Sequence, residues 1–222
     1  MNYPRFIIRK NVVMDSKKNT LIAELSTFFF DEKKINTILK NILLVLIGSI
    51  MIAISAKIKI HLPYTPVPVT MQTFAVLVIA IAYGRNLACA TLLTYMFEGM
   101  CGLPVFASGA GLAYFTGPTA GFLIGMLVAA TVVGYFAEKG FDRNYIKVFC
   151  ALLLGEVIIF GMGLIWLGYF FQTASGSAGI GIDAALKAGF LPFWFADFLK
   201  IIFAALLLPS LWKIIKSIKK QT

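Results

Sequence analysis

Titratable chemistry is scarce in this chain. Its 222 residues hold one histidine, three cysteines and only 10 acidic side chains. A lone His61 supplies neither a histidine-rich metal site nor an H-E-x-x-H metalloprotease helix, and it reads as a solvated or hydrogen-bonded loop residue. Cys89, Cys101 and Cys150 are odd in number, lie in or beside apolar segments and lack metal-ligand spacing. They read as free thiols packed as small apolar residues. The G-x-x-x-x-G-K-[ST] phosphate loop is missing, which excludes ATP hydrolysis by that route, and no G-x-S-x-G supports a membrane hydrolase. The first thirty residues hold no uninterrupted apolar core ahead of a small-residue cleavage site, so a removable signal peptide is not expected.

What the chain has instead is apolar length. It is 59% hydrophobic and 14% charged, with a mean hydropathy of +0.87, far from the usual soluble balance. Six apolar segments occupy residues 35–56, 69–83, 87–102, 118–136, 146–171 and 190–211, near the roughly 20 residues that cross a bilayer at 1.5 Å per residue. The second and third are short and are broken by Gly84-Arg85-Asn86, a tight turn. The expected fold class is therefore an all-α membrane protein, a six-transmembrane-helix bundle over residues 35–222 with no second soluble domain.

A formal charge of +10 suggests nucleic acid, but the basic residues collect at segment ends, where they report topology. The stretch through Lys40 carries eight, the turn at Arg85 one, residues 139–147 three and residues 213–220 four. Lys57, Lys59 and Lys187 lie on the other side, and Lys200 falls within a segment. Both termini are expected in the cytoplasm. Residues 1–34 read as a basic cytoplasmic tail, in which Phe28, Phe29 and Phe30 beside Lys33 and Lys34 suit an interfacial helix. Three loops then face outward. Residues 57–68 are proline-rich, 103–117 mix small and aromatic residues, and 172–189 read as a flexible glycine-serine connection.

Four ionisable groups fall at membrane depth, where an unpaired charge costs several kcal/mol. Asp197 and Lys200, spaced i, i+3, project from one helix face as an acceptor and a donor. They read either as a structural ion pair or as a polar solute site. Glu156 is placed to pair with Lys200 across the bundle or to carry a proton. Glu98 lies near the outer end of the third segment, within reach of headgroups. Gly117, Gly121 and Gly125 recur every fourth residue and form a close-packing stripe; Ser49 and Ala53 form a weaker one. Trp166, Tyr169 and Phe171 suit the aromatic belt at the outer boundary.

Four motifs stand in order along the chain: PYTPVPVTMQTFAVL, GLPVFASGAG, GPTAGFLIG and PFWFADFLK. From about residue 58 to residue 208 the chain resembles the BioY family, the biotin-binding S components of energy-coupling-factor transporters. The resemblance implies six helices and an outward-open site roofed by the first and third outer loops. It also implies biotin capture without covalent chemistry, catalytic residues or a cofactor. The family's D-x-x-K motif falls on Asp197 and Lys200, which suit the N–H donors and carbonyl acceptor of a ureido ring. Gln72 is expected to bond the same ring or to hold the loop. Phe106, Tyr114 and Trp166 are expected to wall the remainder, with Ser108 and the backbone N–H groups of 108–111 facing the carboxylate. Implied partners are membrane lipid, a transmembrane coupling subunit docked on the Ser49–Ala53 stripe, and two cytosolic ATPases; nucleic acid is not among them. Two rivals are a self-sufficient proton-coupled carrier using Glu156 or Asp197, and a membrane enzyme using Asp197 and Lys200 as acid and base.

Overall fold

The structure, a computed structural model, describes residues 20–29, 36–173 and 176–221. Among these, the chain is helical apart from loops and one two-stranded hairpin. A short α1 (Leu21–Phe29) is followed by α2 (Thr37–Lys57), α3 (Gln72–Tyr83), α4 (Arg85–Met100), α5 (Ala120–Glu138), α6 (Tyr145–Ile165), α7 (Ile182–Gly189) and α8 (Trp194–Gln221). Four stretches, Thr37–Lys57, Ala120–Glu138, Tyr145–Phe170 and Trp194–Ile218, are long and apolar enough to cross a membrane; Gln72–Tyr83 is apolar but shorter. Each of the six apolar segments forms a helix, and four of them reach spanning length.

The bundle is built around α5 and α6. The glycine stripe makes that contact possible: a Cβ on Gly121 would lie 2.1 Å from the Trp166 Cβ, and one on Gly125 would lie 3.0 Å from the Ile159 Cα. Only a hydrogen fits there, and the two backbones approach accordingly. By contrast α2 is peripheral. The membrane-length window of α5 is 61% buried, whereas that of α2 is 22% buried. Exposed Ile38, Ile42, Leu46, Ile50 and Ile54 make an apolar outer stripe at i, i+4 spacing. Ser49 points the other way. It is fully buried and donates from Oγ to Glu98 on α4. The small-residue position expected to dock a partner therefore packs inward, and Glu98 is bonded within the bundle rather than extended to headgroups.

At one end of the bundle, Gly84 takes a positive φ of 78° and turns α3 into α4. The Arg85 N–H there donates to Glu138 Oε1 at 2.8 Å. The turn between α5 and α6 carries fully buried Asp142, which accepts from the Trp212 indole of α8 at 2.7 Å. Leu21 and Ser26 of α1 are buried, and Leu21 joins the hydrophobic core. Phe30, Lys33 and Lys34 of the expected interfacial helix, and residues 1–19, lie outside the described residues.

The other end is closed by loops. Residues Lys59–Ile60 and Val69–Thr70 pair antiparallel as β1 and β2, so the proline-rich loop between them is a folded hairpin. The 172–189 connection is not the structureless linker its glycine and serine content suggests. It carries α7, and the backbone N–H groups of Ile180 and Gly181 donate to the Leu167 and Gly168 carbonyls of the π-helical turn that ends α6.

Candidate solute-binding site

The first turns of α3 and α8 meet below the hairpin, and each brings polar side chains into an apolar setting. Asp197 lies in the first turn of α8, where the helix N-terminus favours a carboxylate. It is 4% exposed. Its Oδ1 accepts from the Lys200 ammonium at 2.5 Å and from the Thr73 hydroxyl of α3 at 3.1 Å. Lys200 also donates to the Thr70 carbonyl at 2.6 Å. The pair is thus tied to the strand–helix junction at 70–73 on one side and to α8 on the other. Charge-assisted bonds of this kind offset part of the cost of removing both ions from water.

Above the pair opens a cavity between α3, α5, α6 and the first turn of α8. Its polar groups are Thr70, Gln72, Thr73, Tyr114, Thr119 and Asp197; its walls are apolar, with Phe122 and Met126 from α5, Ile159 and Phe160 from α6, and Phe193. Val67 and Pro68 of the hairpin loop and Ala107 of the next loop complete the lining. Two lysines tie these loops together: Lys57 donates to the Phe106 carbonyl at 2.6 Å, and Lys59 donates to the Ala107 carbonyl. The Thr65 hydroxyl donates to the Ala188 carbonyl at 2.5 Å, which fastens the hairpin loop to the end of α7.

The residues singled out in the sequence fall at four positions around the cavity. Asp197, Gln72 and Tyr114 line the cavity. Gln72 donates from Nε2 to the Tyr95 hydroxyl at 3.2 Å, and Tyr95 in turn donates to the Val105 carbonyl at 3.2 Å, so the amide also braces the second loop. Burial raises the Tyr114 phenol above its ordinary value and keeps it a neutral hydrogen-bonding group. Lys200 sits below Asp197 and lines a separate, smaller cavity. Phe106 is fully buried behind the wall, stacked on Tyr114 with ring centroids 4.4 Å apart. Trp166 also stands behind the lining, where its indole donates to the Gly117 carbonyl at 2.9 Å. Ser108 is exposed in an adjoining cleft, with its Oγ 3.5 Å from His61 Nε2. In the 108–111 backbone, the Gly111 N–H already donates to the Gly99 carbonyl at 2.7 Å.

Sequence reading passes over Thr70 and Thr73, which flank Gln72 in the T-M-Q-T run and hold the ion pair. It also passes over the apolar wall. Phe122, Met126 and Phe160 carry no signal that separates a cavity wall from an ordinary packed helix face.

Four helices long and apolar enough to cross a membrane, with a buried ion pair beneath a cavity, define a multi-pass integral membrane protein. Residues 24–217 match the BioY family, and the chain belongs to that family. It is 33% identical over 194 residues to a probable biotin transporter BioY of Rickettsia prowazekii, covering 87% of this chain and 92% of that protein. It is likewise 33% identical over 156 residues to a biotin transporter BioY of Thermotoga maritima, covering 70% and 86%. Its fold is similar to a crystal structure of the S-component for biotin from an ECF-type ABC transporter. That match has a TM-score of 0.69 at 22% identity and covers 83% of this chain and 95% of that one.

Proposed function

We propose that this chain captures biotin in an outward-facing cavity and serves as the substrate-binding subunit of an ATP-driven importer. The observation that carries the reading is buried Asp197, which lines a largely apolar cavity with a few polar groups and is paired with Lys200 beneath it. A bicyclic ureido solute has N–H donors and one carbonyl acceptor at one end and an apolar body behind them. In this reading Asp197 accepts from a ring N–H, and the Lys200 ammonium swings up from beneath it to donate to the ring oxygen. Gln72 bonds the ring or braces the loop beside it. Tyr114 closes on the apolar body, with Phe106 and Trp166 holding the wall from behind. The carboxylate tail lies toward the loop mouth near Ser108. Family membership and the names of its relatives support biotin as the solute.

The chain, in this reading, crosses the membrane six times with both termini in the cytoplasm; α3 and α4 make the two short passages. It couples to a transmembrane subunit and two cytosolic ATPases. The absence of a P-loop motif from this chain supports a separate energy source. Titration calorimetry of the purified full chain with biotin is the direct test. Saturable binding at one site without ATP is expected, and no heat or displacement at any biotin concentration would overturn the reading.

A further inference from the structure

At the end of the bundle away from the loops, basic side chains gather on one edge. Residues 138–147 and 213–218 hold five cations, Lys139, Arg143, Lys147, Lys213 and Lys216, against two acids. Both acids have partners already: Glu138 accepts from the Arg85 N–H, and fully buried Asp142 accepts from the Trp212 indole. Aromatic rings hold the cations in place. Arg143, from the turn between α5 and α6, and Lys216, on α8, stand over the same Trp212 ring, at 4.4 and 6.0 Å from its centroid. Lys213 stands 4.8 Å from the ring centroid of Tyr145, whose hydroxyl shares a hydrogen bond of 3.2 Å with Ser210 of α8. The start of α6 and the end of α8 are joined there. Lys213 and Lys216 are exposed, and Ile146 and Ile214, 74% and 55% exposed, stand among them.

We propose that this edge binds the phosphate of an anionic phospholipid, with Arg143, Lys213 and Lys216 as its counter-charges. Cations gathered around neighbouring rings repel one another, and a shared anion removes that repulsion. The patch asks for an occupant that is amphipathic as well as anionic. Exposed isoleucines stand beside the cations on both elements, so the headgroup phosphate meets the charged heads while its acyl chains run along Ile146 and Ile214. A free anion or a soluble acidic segment would use the charges and not the isoleucines. A cation laid over an aromatic ring suits the same boundary, where one side of the pair is apolar and the other wet. The patch is also one-sided. At the same end, the turn between α3 and α4, residues 83–86, carries one cation, Arg85. Lipid held at this site therefore anchors the α6–α8 edge of the bundle in the membrane boundary. The inference does not rest on the biotin reading.

The test counts lipids on the purified full chain. Detergent-solubilised protein is equilibrated with equal amounts of phosphatidylglycerol and phosphatidylcholine carrying the same acyl chains, and retained lipid is read by native mass spectrometry. The wild type should retain phosphatidylglycerol in preference. Lys213→Gln combined with Lys216→Gln should lower that preference about 5-fold per charge removed, roughly 25-fold together. Lys213→Arg combined with Lys216→Arg keeps both charges and should keep the preference. Lys187→Gln removes one exposed charge from α7 at the loop end and should leave the preference unchanged. Equal retention of the two lipids by the wild type overturns the site. So does an undiminished preference in the glutamine pair, a lost one in the arginine pair, or a fall as large in Lys187→Gln as in Lys213→Gln alone. Two competitors then identify the source of the anion. Inorganic phosphate that displaces phosphatidylglycerol at equal concentration assigns the patch to a free anion, and polyglutamate that does so assigns it to an acidic protein segment; either result overturns the lipid.

Discussion

At Asp197 the bundle holds an ion pair where either member alone is expensive. Removing the carboxylate charge strands the Lys200 ammonium and deletes an acceptor; a charge-assisted bond of this kind is worth about 1.5–3 kcal/mol. Asp197→Asn is therefore expected to weaken biotin binding roughly 10- to 100-fold while the protein still folds and inserts, since the amide keeps the shape. Lys200→Met should act in the same direction by deleting the donor and keeping the apolar stem. Wild-type affinity in both variants, measured by calorimetry, would reduce the pair to scaffolding. A second buried acid obeys a different rule. Asp142 lies in the turn between α5 and α6, outside the spans, and burial pushes its carboxyl up to about 6. Its folded value exceeds its unfolded one, so folding favours the protonated form. The associated stability is full below the ordinary carboxylate range and is lost as pH rises through about 6. Asp142→Asn keeps an acceptor for the Trp212 indole and removes the charge. Its melting temperature relative to wild type should therefore rise between pH 5 and pH 7.5; a constant difference across that range would show that Asp142 does not titrate there.

Elements were legible in the sequence to the extent that apolar length and glycine spacing record them. The six apolar runs coincide with α2, α3, α4, α5, α6 and α8, and the Gly121–Gly125 stripe lies against Ile159 on α6 and Trp166 in the turn that ends it. What composition hides is direction and local bonding. Ser49 reads as half of an outward stripe, yet its hydroxyl turns to Glu98; a period of four places both faces of a helix equally well until a partner is known. Likewise the glycines of 172–189 read as slack, whereas the backbone bonds at 179–181 seat α7 against the end of α6. The candidate site was half legible for the same reason. Charged residues in an apolar run announce themselves, and cavity walls do not. The glycine stripe gives its own test. Gly121→Ala places a methyl against the Trp166 Cβ and the Met162 carbonyl and should cost about 1–3 kcal/mol by overpacking, read as a lower melting temperature. Gly161→Ala, on the same α6 with no atom within 4 Å of the new Cβ, should be neutral or slightly stabilising because alanine is the better helix former. Equal effects at the two positions would remove the close contact from the account of the bundle.

The whole molecule is polarised, with its basic residues held differently at its two ends. At the end carrying the Gly84 turn, the Asp142 turn and the end of α8, cations lie over aromatic rings. Lys139 stands 5.2 Å from the Tyr135 ring centroid, Arg143 4.4 Å from that of Trp212 and Lys213 4.8 Å from that of Tyr145. Such amphipathic pairs suit a boundary where one side is apolar and the other wet. At the loop end, Lys57 and Lys59 are committed to the Phe106 and Ala107 carbonyls and serve to tie the roof. The surplus of basic charge thus belongs to the first end, the one that the positive-inside rule would place in the cytoplasm. In the proposed reading that assignment turns the cavity mouth outward. Single cysteines at Ser177 and Lys216, introduced after Cys89, Cys101 and Cys150 are replaced by alanine, should separate the two faces. An impermeant maleimide added to intact cells should label position 177 and leave position 216 untouched until the membrane is opened. Labelling of 216 from outside, with 177 protected, would invert the protein and turn the cavity toward the cytoplasm. Labelling of both in intact cells would mean an even number of passages between them, against the single passage that α8 makes in this topology.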